Sequence, residues 1–286
     1  MQLKLTKPSV VQTLLRQHNL RPSKGLGQNF LINEHYLAQI VAAAELSPAD
    51  LVIEIGPGLG TLTQALASQA GRVISIEKDQ RLAPVLAISL APHKQVQLVW
   101  QDALTVDYQQ LVGEATQPKV VANLPYYITT PLILRLLQAE VPWRCLVFLV
   151  QAEVADRMQA SPSNKDYGLL SVACQYKHEV EIVTRVPASA FYPAPTVAST
   201  VVKLQAPASG RPRELAVEEP WFWQVVRAAF GQRRKTLANS LSAGLPLTKE
   251  QIQLGLVAQG VEPGARGEDL TVDELVGVAN ELGCRR

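Results

Sequence analysis

A polar segment, Asn123-Leu124-Pro125-Tyr126, directly follows a run of small and β-branched apolar residues at 120–122. Such a run is typical of a buried strand, and the segment is typical of a loop at its carboxyl end. Within four residues the loop offers an amide side chain, exposed carbonyls and an aromatic ring. Because Pro125 lacks a backbone donor and favours an extended Leu124, nearby carbonyls can point outward. These groups could hold a planar base that carries an exocyclic amine.

An exocyclic amine is a weak nucleophile because its lone pair is delocalised into the ring. The Asn123 side-chain oxygen and a main-chain carbonyl, at Leu124 or Pro125, could accept its two N–H groups and favour a pyramidal nitrogen. Tyr126 could stack on the base, which is worth about 1–3 kcal/mol. In-line attack on a methyl bound to a sulfonium needs no general base before transfer, so positioning supplies much of the rate. The alternative is structural, with Asn123 forming a turn and Tyr126 packing in the core.

The surrounding pattern predicts the elements that position this loop. Helical patterns alternate with five apolar strands, which implies a parallel sheet covered on both faces. Right-handed crossovers place all the carboxyl ends of such strands at one edge. Two later runs, 179–186 and 196–204, are joined without a helix and predict an antiparallel pair at a sheet edge. The five predicted parallel strands are Leu51–Ile55, Arg72–Ile76, Val96–Trp100, Lys119–Ala122 and Cys145–Val150.

Gly56, Glu77, Asp102 and Asn123 all follow or end predicted strands, and ligands of open α/β sheets bind outside the carboxyl ends of the strands. The turn at 56–60 has the spacing G-x-G-x-G, not the G-x-G-x-x-G of a dinucleotide cradle. Glu77 could accept hydrogen bonds from ribose hydroxyls, and Asp102 from an adenine amine. An adenosine ligand without a pyrophosphate indicates S-adenosylmethionine. A purely structural glycine turn and solvated surface carboxylates are the alternatives.

Length and composition are consistent with a large domain and a small one. The chain has 286 residues, and 47% of them are hydrophobic. We expect a methyl-donor domain at 1–204, a linker at 205–220 and a helical domain at 221–286, with helices near 220–230, 233–242, 249–258 and 271–283. No apolar stretch approaches the ~20 residues that span a bilayer, and the basic N-terminus lacks the apolar segment of a secretory signal. Three dispersed cysteines and four scattered histidines predict a reducing cytoplasm, no membrane association and no metal site.

Basic residues cluster in two places although the net charge is only +2. Residues 1–33 contain five basic side chains, including Lys24, and no acidic one. The second cluster consists of Arg227, Arg233, Arg234 and Lys235. Two local patches on a nearly neutral chain suit contact with phosphates at defined places. A flexible tail and an ordinary solvated helix face are the alternative explanations.

A second aromatic and proline loop covers residues 191–197, Phe-Tyr-Pro-Ala-Pro-Thr-Val. Phe191 could close on the far face of the bound base. Alternatively, the loop is a rigid hairpin connection that packs Phe191 into the core.

Five segments together resemble the rRNA adenine N6,N6-dimethyltransferases, and the chain is most similar to the bacterial small-subunit (16S) members of that rRNA adenine dimethylase family. The segment 232–237, Gln-Arg-Arg-Lys-Thr-Leu, favours that branch over the branch that methylates large-subunit RNA. The segments are Lys24-Gly25-Leu26-Gly27-Gln28-Asn29-Phe30-Leu31, Glu54-Ile55-Gly56-Pro57-Gly58-Leu59-Gly60, Asn123-Leu124-Pro125-Tyr126-Tyr127, Phe191-Tyr192-Pro193-Ala194-Pro195-Thr196-Val197 and Phe230-Gly231-Gln232-Arg233-Arg234-Lys235-Thr236-Leu237.

The resemblance implies a Rossmann-like class I methyltransferase sheet with a small all-α C-terminal domain. It implies transfer from S-adenosylmethionine to two adjacent adenosines in the hairpin near the 3′ end of small-subunit rRNA, during ribosome biogenesis. Asn29 and Leu31 would join the four strand-end residues as cofactor contacts, and the immature small ribosomal subunit would be the partner of a monomeric enzyme. A large-subunit rRNA adenine methyltransferase and a non-catalytic RNA-binding assembly factor remain as alternatives.

Overall fold

A mostly parallel sheet forms the centre of the chain in the computed structural model, which describes residues 3–207, 214–232, 234–262 and 264–286. Its strands are β2 Leu51–Ile55, β3 Arg72–Glu77, β4 Val96–Trp100, β5 Lys119–Asn123, β6 Cys145–Gln151, β7 Glu179–Val186 and β9 Ser199–Gln205. The strand order is β4-β3-β2-β5-β6-β9-β7. The strands β2 to β6 pair in parallel, whereas β9 runs antiparallel to β6. This arrangement confirms the predicted Rossmann-like sheet with a late antiparallel strand.

The middle of the sheet is buried, as expected for parallel strands covered on both faces. All five residues of β2 are buried, and β5 is buried up to its last residue, the half-buried Asn123. In register, Val52 of β2 lies beside Lys119 of β5. Because both strands are apolar along their length, polar groups remain only near their ends, where they can be paired or can face a ligand.

Helices connect the strands, as the alternating pattern predicts. The side chain of Asn33 accepts hydrogen bonds from the His35 and Tyr36 amides at 3.0 and 3.3 Å, so it caps the second helix. No helix in the described part of the chain is long and apolar enough to cross a membrane. The helices of the N-terminal half are α1 Pro8–Gln17, α2 Glu34–Ala43, α3 Thr61–Ala67, α4 Ala83–Ser89, α5 Tyr108–Val112, α6 Thr129–Gln138 and α7 Ala152–Gln159.

A short antiparallel pair joins two loops that the sequence pattern treats as irregular. The strand β1, Phe30–Leu31, pairs with β8, Phe191–Tyr192, and Leu31 lies opposite Phe191. Strands of two residues are too short to produce a periodic apolar pattern, which is why the sequence analysis does not predict them.

The chain divides into two compact units, Met1–Ala155 with Glu181–Gln205, and Asp156–Val180 with Ala206–Arg286. The end of the first unit at Gln205 lies next to the domain boundary expected from the sequence. Residues 156–180, however, belong to the second unit and not to the first. The reason is aromatic packing, since the ring of Tyr176 lies 4.5 Å from that of Phe222 and 5.6 Å from that of Trp223.

The second unit is helical. The predicted helix at 233–242 begins instead at Leu237, because the Thr236 side chain caps it by accepting from the Asn239 amide. Arg234 and Lys235 therefore precede the helix, and Arg233 lies outside the described residues. The expected linker at 205–220 is described only in part, and its last residues already belong to a helix. The helices of this unit are α8 Leu169–Lys177, α9 Glu219–Gly231, α10 Leu237–Gly244, α11 Lys249–Ala258 and α12 Val272–Gly283.

Candidate active site

One cavity of the first unit lies at the carboxyl ends of β2, β3, β4 and β5. The ends of these strands and the loop before β1 line it. The predicted convergence of four strand ends on one edge is therefore present in the fold. Two further lining residues, Gln28 and Lys78, are not identified by the sequence analysis, since each is merely the neighbour of a predicted site residue. Of the predicted site residues, the lining includes Asn29, Leu31, Gly56, Glu77, Asp102, Asn123, Leu124, Pro125 and Tyr126.

The glycine turn after β2 forms part of the cavity wall. Gly56 has a φ of +70°, a backbone conformation that residues with side chains adopt only under strain. A Cβ atom on Gly58 would lie 3.0 Å from the Phe30 ring, so the close approach of these two segments also requires glycine. The turn therefore presents main-chain atoms to the cavity, as a cradle for a ligand requires.

Glu77 ends β3 as a carboxylate that is only 8% exposed. Burial raises the pKa of Glu77, and hydrogen bonds from backbone amides counteract that rise. One of these donors is the Asp79 amide, which lies 2.7 Å from Glu77 Oε1. An orientation set by backbone donors suits a carboxylate that accepts hydrogen bonds from a pair of ribose hydroxyls.

Asp102 lies beyond the end of β4 and is paired with Lys78. Its Oδ2 accepts a hydrogen bond from Lys78 Nζ at 2.7 Å, and its Oδ1 accepts one from the Leu104 amide at 3.0 Å. The Lys78 hydrogen bond holds the pKa of Asp102 below its usual value. An ionised carboxylate at this position can accept a hydrogen bond from the exocyclic amine of an adenine.

The orientation of the Asn123 amide is set by the loop before β1. Asn123 Nδ2 donates to the Asn29 carbonyl at 3.1 Å. Since the amide nitrogen is used in this way, Oδ1 is the half of the side chain that remains as an acceptor at the cavity. Asn29 is held in turn by a hydrogen bond from its own side chain to the Gly27 carbonyl at 3.2 Å.

The sequence allows either the Leu124 or the Pro125 carbonyl as the second acceptor, and the two carbonyls differ in their hydrogen bonds. The Pro125 carbonyl accepts from the Ile128 amide at 3.2 Å and from Thr129 Oγ1 at 3.0 Å, because a 3₁₀ turn at Tyr126–Ile128 begins there and continues into α6. The Leu124 carbonyl accepts no hydrogen bond from the described residues, while the Leu124 amide is bound to the Leu149 carbonyl at 3.1 Å. Leu124 is therefore the better second acceptor for an amine.

The two predicted aromatic contacts of the base lie in different environments. The hydroxyl groups of Tyr126 and Ser199 are 2.7 Å apart, and Tyr126 is one of the residues that line the cavity. Phe191, in contrast, is 3% exposed and packs with Leu31 in the apolar core. Phe191 pairs with Leu31 in the loop at β1 and is outside the described lining of the cavity, which agrees with the structural alternative of a side chain packed in the core.

The predicted phosphate contacts are divided between the units. Lys24 begins a short 3₁₀ turn, Lys24–Leu26, in the first unit. Arg227 lies on α9 of the second unit and is exposed, as are Arg234 and Lys235 in the turn before α10. Arg233 lies outside the described residues.

The groups at the cavity are acceptors of two kinds. Glu77 and Asp102 are carboxylates that fit the hydroxyls and the amine of an adenosine. Asn123 Oδ1 and the Leu124 carbonyl are neutral acceptors that fit a second amine. Among the described residues, no group of three or more histidine, cysteine or acidic side chains could hold a metal ion. The cavity can therefore place two amine-bearing ligands at one edge of the sheet.

Comparison with protein families gives a match over most of the chain. The model of the family described as ribosomal RNA adenine dimethylase matches residues 17–283. "Ribosomal RNA small subunit methyltransferase A" of Alkaliphilus metalliredigens is 45% identical over 287 residues, which cover 99% of each chain. The protein of that name from Pelotomaculum thermopropionicum is 46% identical over 288 residues, which cover 97% of each chain.

Two solved structures resemble the chain over most of its length. A dimethyladenosine transferase from Plasmodium falciparum has a TM-score of 0.72 and 25% identity, covering 87% of this chain and 95% of its own. The 23S rRNA methyltransferase ErmE has a TM-score of 0.64 and 28% identity, covering 89% of this chain and 100% of its own.

Proposed function

Since the chain belongs to the ribosomal RNA adenine dimethylase family, we propose that it methylates the N6 amines of two adjacent adenosines in the 3′-terminal hairpin of small-subunit (16S) rRNA. S-adenosylmethionine is the proposed methyl donor, and N6,N6-dimethyladenosine is the product. Two relatives that match nearly the whole chain at 45–46% identity are named as methyltransferases of small-subunit ribosomal RNA, which favours this target. The observation that carries the proposal is the pair of neutral acceptors, Asn123 Oδ1 and the Leu124 carbonyl, at the cavity that also contains Glu77 and Asp102.

The residues of the cavity fit the proposed cofactor. Glu77 would bind the ribose hydroxyls, Asp102 the adenine amine, and the turn at Gly56 would pass close to the remainder of the molecule. Asn29 and Leu31 would close the cavity from the loop before β1. When bound, S-adenosylmethionine supplies a methyl group on a positively charged sulfur.

The side chains around the target base act by position. Asn123 Oδ1 and the Leu124 carbonyl accept the two N–H groups of the target amine, so its lone pair faces the cavity. Tyr126 stacks on the base, and its hydroxyl bond to Ser199 sets the plane of the ring. The bond from the methyl group to the sulfur would break as the N–C bond forms, the sulfur would leave as a neutral thioether, and the methylated nitrogen would release its excess proton to solvent. Holding both reactants in line is the main source of rate.

Phe191 has a more indirect role in this proposal. It lies opposite Leu31 in the short β1–β8 pair and supports the loop that closes the cavity. Direct contact between Phe191 and the base stays a prediction.

Basic residues in both units would bind RNA phosphates. Arg227, Arg234 and Lys235 are exposed, and Lys24 and Arg233 complete the proposed set. Charge reversal at Arg234 and Lys235 should weaken binding to the ribosomal particle. The slope of log affinity against log salt should decrease by about one for each phosphate that the variant no longer neutralises. Unchanged affinity and slope would identify the patch as an ordinary solvated surface.

The proposed setting is the cytoplasm, where a monomer would act on the immature small ribosomal subunit. The target is tested by offering the purified protein and labelled S-adenosylmethionine to small and large subunits that lack the modification. We expect dimethyladenosine, identified by mass spectrometry, in small-subunit RNA only. Label in large-subunit RNA would favour the alternative target, for which the likeness to ErmE is the supporting observation. No transfer by an intact, cofactor-binding protein would instead favour a non-catalytic assembly factor.

A further inference from the structure

Gln28, which precedes the proposed cofactor contact Asn29, uses both ends of its side-chain amide. Its Oε1 accepts from the Ser23 amide at 2.8 Å, and its Nε2 donates to Asp79 Oδ2 at 2.8 Å. The Ser23 carbonyl in turn accepts from the Leu26 and Gln28 amides at 3.2 and 3.1 Å. The turn at 23–28 is thus closed on itself, and the Gln28 side chain connects it to the loop after β3.

Asp79 connects this loop to the proposed ribose-binding group. It is 7% exposed, and its carboxylate accepts from Arg81 Nε and Nη2, both at 2.7 Å. The Arg81 hydrogen bond holds the pKa of Asp79 below its usual value. The backbone amide of Asp79 donates to Glu77 Oε1 at 2.7 Å. The residue that accepts from Gln28 therefore also orients the Glu77 carboxylate.

The other side of the loop contacts the amine-binding segment. The Asn29 carbonyl accepts from Asn123 Nδ2 at 3.1 Å. At Gly27, whose φ is +60°, an added Cβ would lie 3.0 Å from the Tyr126 amide nitrogen. The loop thus lies between the carboxyl ends of β3 and β5. The Gln28 side chain connects it to the end of β3.

We propose that Gln28 is a positioning residue, whose hydrogen bond to Asp79 holds the 23–31 segment against the cofactor cavity and aligns it with Glu77. This inference depends on the proposed cofactor site and adds a residue that does not itself need to touch the cofactor. Without the bond, the loop loses its attachment at the β3 end, and Asn29 and Leu31 are no longer held in place. The cofactor then binds more weakly, although the fold is retained.

The test is the dissociation constant of S-adenosylhomocysteine, measured by calorimetry on the full chain. Gln28→Leu keeps the approximate size of the side chain and removes both hydrogen bonds. We expect roughly tenfold weaker binding, because a hydrogen bond to a charged group is removed. Gln69→Leu, at an exposed position in the same unit, is the matched control and should bind as the wild type does.

A double-mutant cycle with Asp79→Ala separates positioning from general structural damage. If Gln28 acts through Asp79, then Gln28→Leu weakens binding far less in the Asp79→Ala background than in the wild type. The midpoint of urea unfolding without ligand should be nearly the same for Gln28→Leu and wild type. Wild-type affinity in Gln28→Leu, or equal effects in both backgrounds, would overturn this inference alone. A wild-type protein that binds no S-adenosylhomocysteine would contradict the proposed function as well.

Discussion

The two ends of strand β5 each carry a polar side chain, and the two side chains are paired differently. At the amino end, Lys119 is 1% exposed, and its ammonium donates to the Ala44 and Glu45 carbonyls at 3.0 and 2.7 Å and to Asp50 at 3.0 Å. At the carboxyl end, Asn123 donates once to Asn29, and its oxygen faces the cavity. All three Lys119 donors have acceptors, whereas Asn123 keeps an acceptor for a ligand. Polar groups at one edge therefore stabilise the fold, and those at the other edge remain available for binding.

Carboxyl groups near the two ends of β2 differ in the same way. Burial acts to raise the pKa of Asp50, but hydrogen bonds from Lys119 and Ser47 outweigh it, so the pKa lies below its usual value. At the other end, burial raises the pKa of Glu54 to about 7, and a hydrogen bond from Ser75 at 2.6 Å offsets this only in part. Glu54 Oε1 and the hydroxyl of Thr63 are buried without a hydrogen-bond partner among the described residues. Incomplete pairing near the ligand-binding edge is the difference that the following predictions test.

Lys119→Met should have the largest effect of the substitutions considered, and it should lower the free energy of unfolding. It leaves Asp50 buried without its cation, which typically costs about 3–5 kcal/mol in the free energy of unfolding. Urea unfolding measures this loss, and exposed Lys94→Met is the control. Adding Asp50→Asn should recover part of the loss, because the buried charge is then removed. A loss below about 1 kcal/mol would mean that the amino edge is not a stabilising region.

Glu54→Gln should change how the free energy of unfolding depends on pH, and this effect should be slightly smaller than that of Lys119→Met. The pKa of Glu54 rises from 4.5 to about 7 on folding, so stability in the wild type is lost as pH increases through this window. This pKa shift corresponds to a loss of about 3 kcal/mol in the free energy of unfolding between low and high pH. The glutamine variant has no ionisable group at this position and should not show this loss. Urea unfolding at intervals from pH 5 to pH 8 measures it. Parallel curves for the two proteins would contradict a strongly raised pKa.

Substitution of Tyr126 should have the smallest effect, and on transfer alone. Tyr126→Ala removes the proposed stacking on the base. The activation free energy that corresponds to kcat/KM should therefore rise by about 1–3 kcal/mol. Tyr126→Phe keeps the ring and loses only the hydroxyl bond to Ser199, so it should cost about 1 kcal/mol or less. Steady-state methyl transfer on small subunits compares them. Equal effects of the two variants would show that the hydroxyl matters and the ring face does not.

The sequence predicts which residues meet at the sheet edge where a local pattern carries the signal. Apolar runs that stop at Gly56, Glu77, Asp102 and Asn123 are visible along the chain, and the rules of parallel sheets bring their ends together.

Hydrogen bonds between residues that are far apart in the sequence cannot be predicted from such local patterns. Gln28 and Asp79 are 51 residues apart, and Lys78 and Asp102 are 24 apart. A pattern identifies neither bond, because each depends on how two loops meet in three dimensions. The position of Phe191 also depends on packing, since the motif at 191–197 allows either contact with the base or burial in the core, and the structure buries the side chain.

The proposed reaction depends most on Asn123 Oδ1, which would accept a hydrogen bond from the target amine. The most direct test is the single-turnover rate of methyl transfer onto unmethylated small subunits by Asn123→Ala, at saturating cofactor and RNA. Because one preorganised electrostatic contact is removed, we predict a rate about 10²–10³ times lower, with RNA binding largely kept. A rate within about threefold of the wild type would contradict this role, because a loss of about 0.7 kcal/mol is far below the roughly 2.7–4 kcal/mol expected for a preorganised contact.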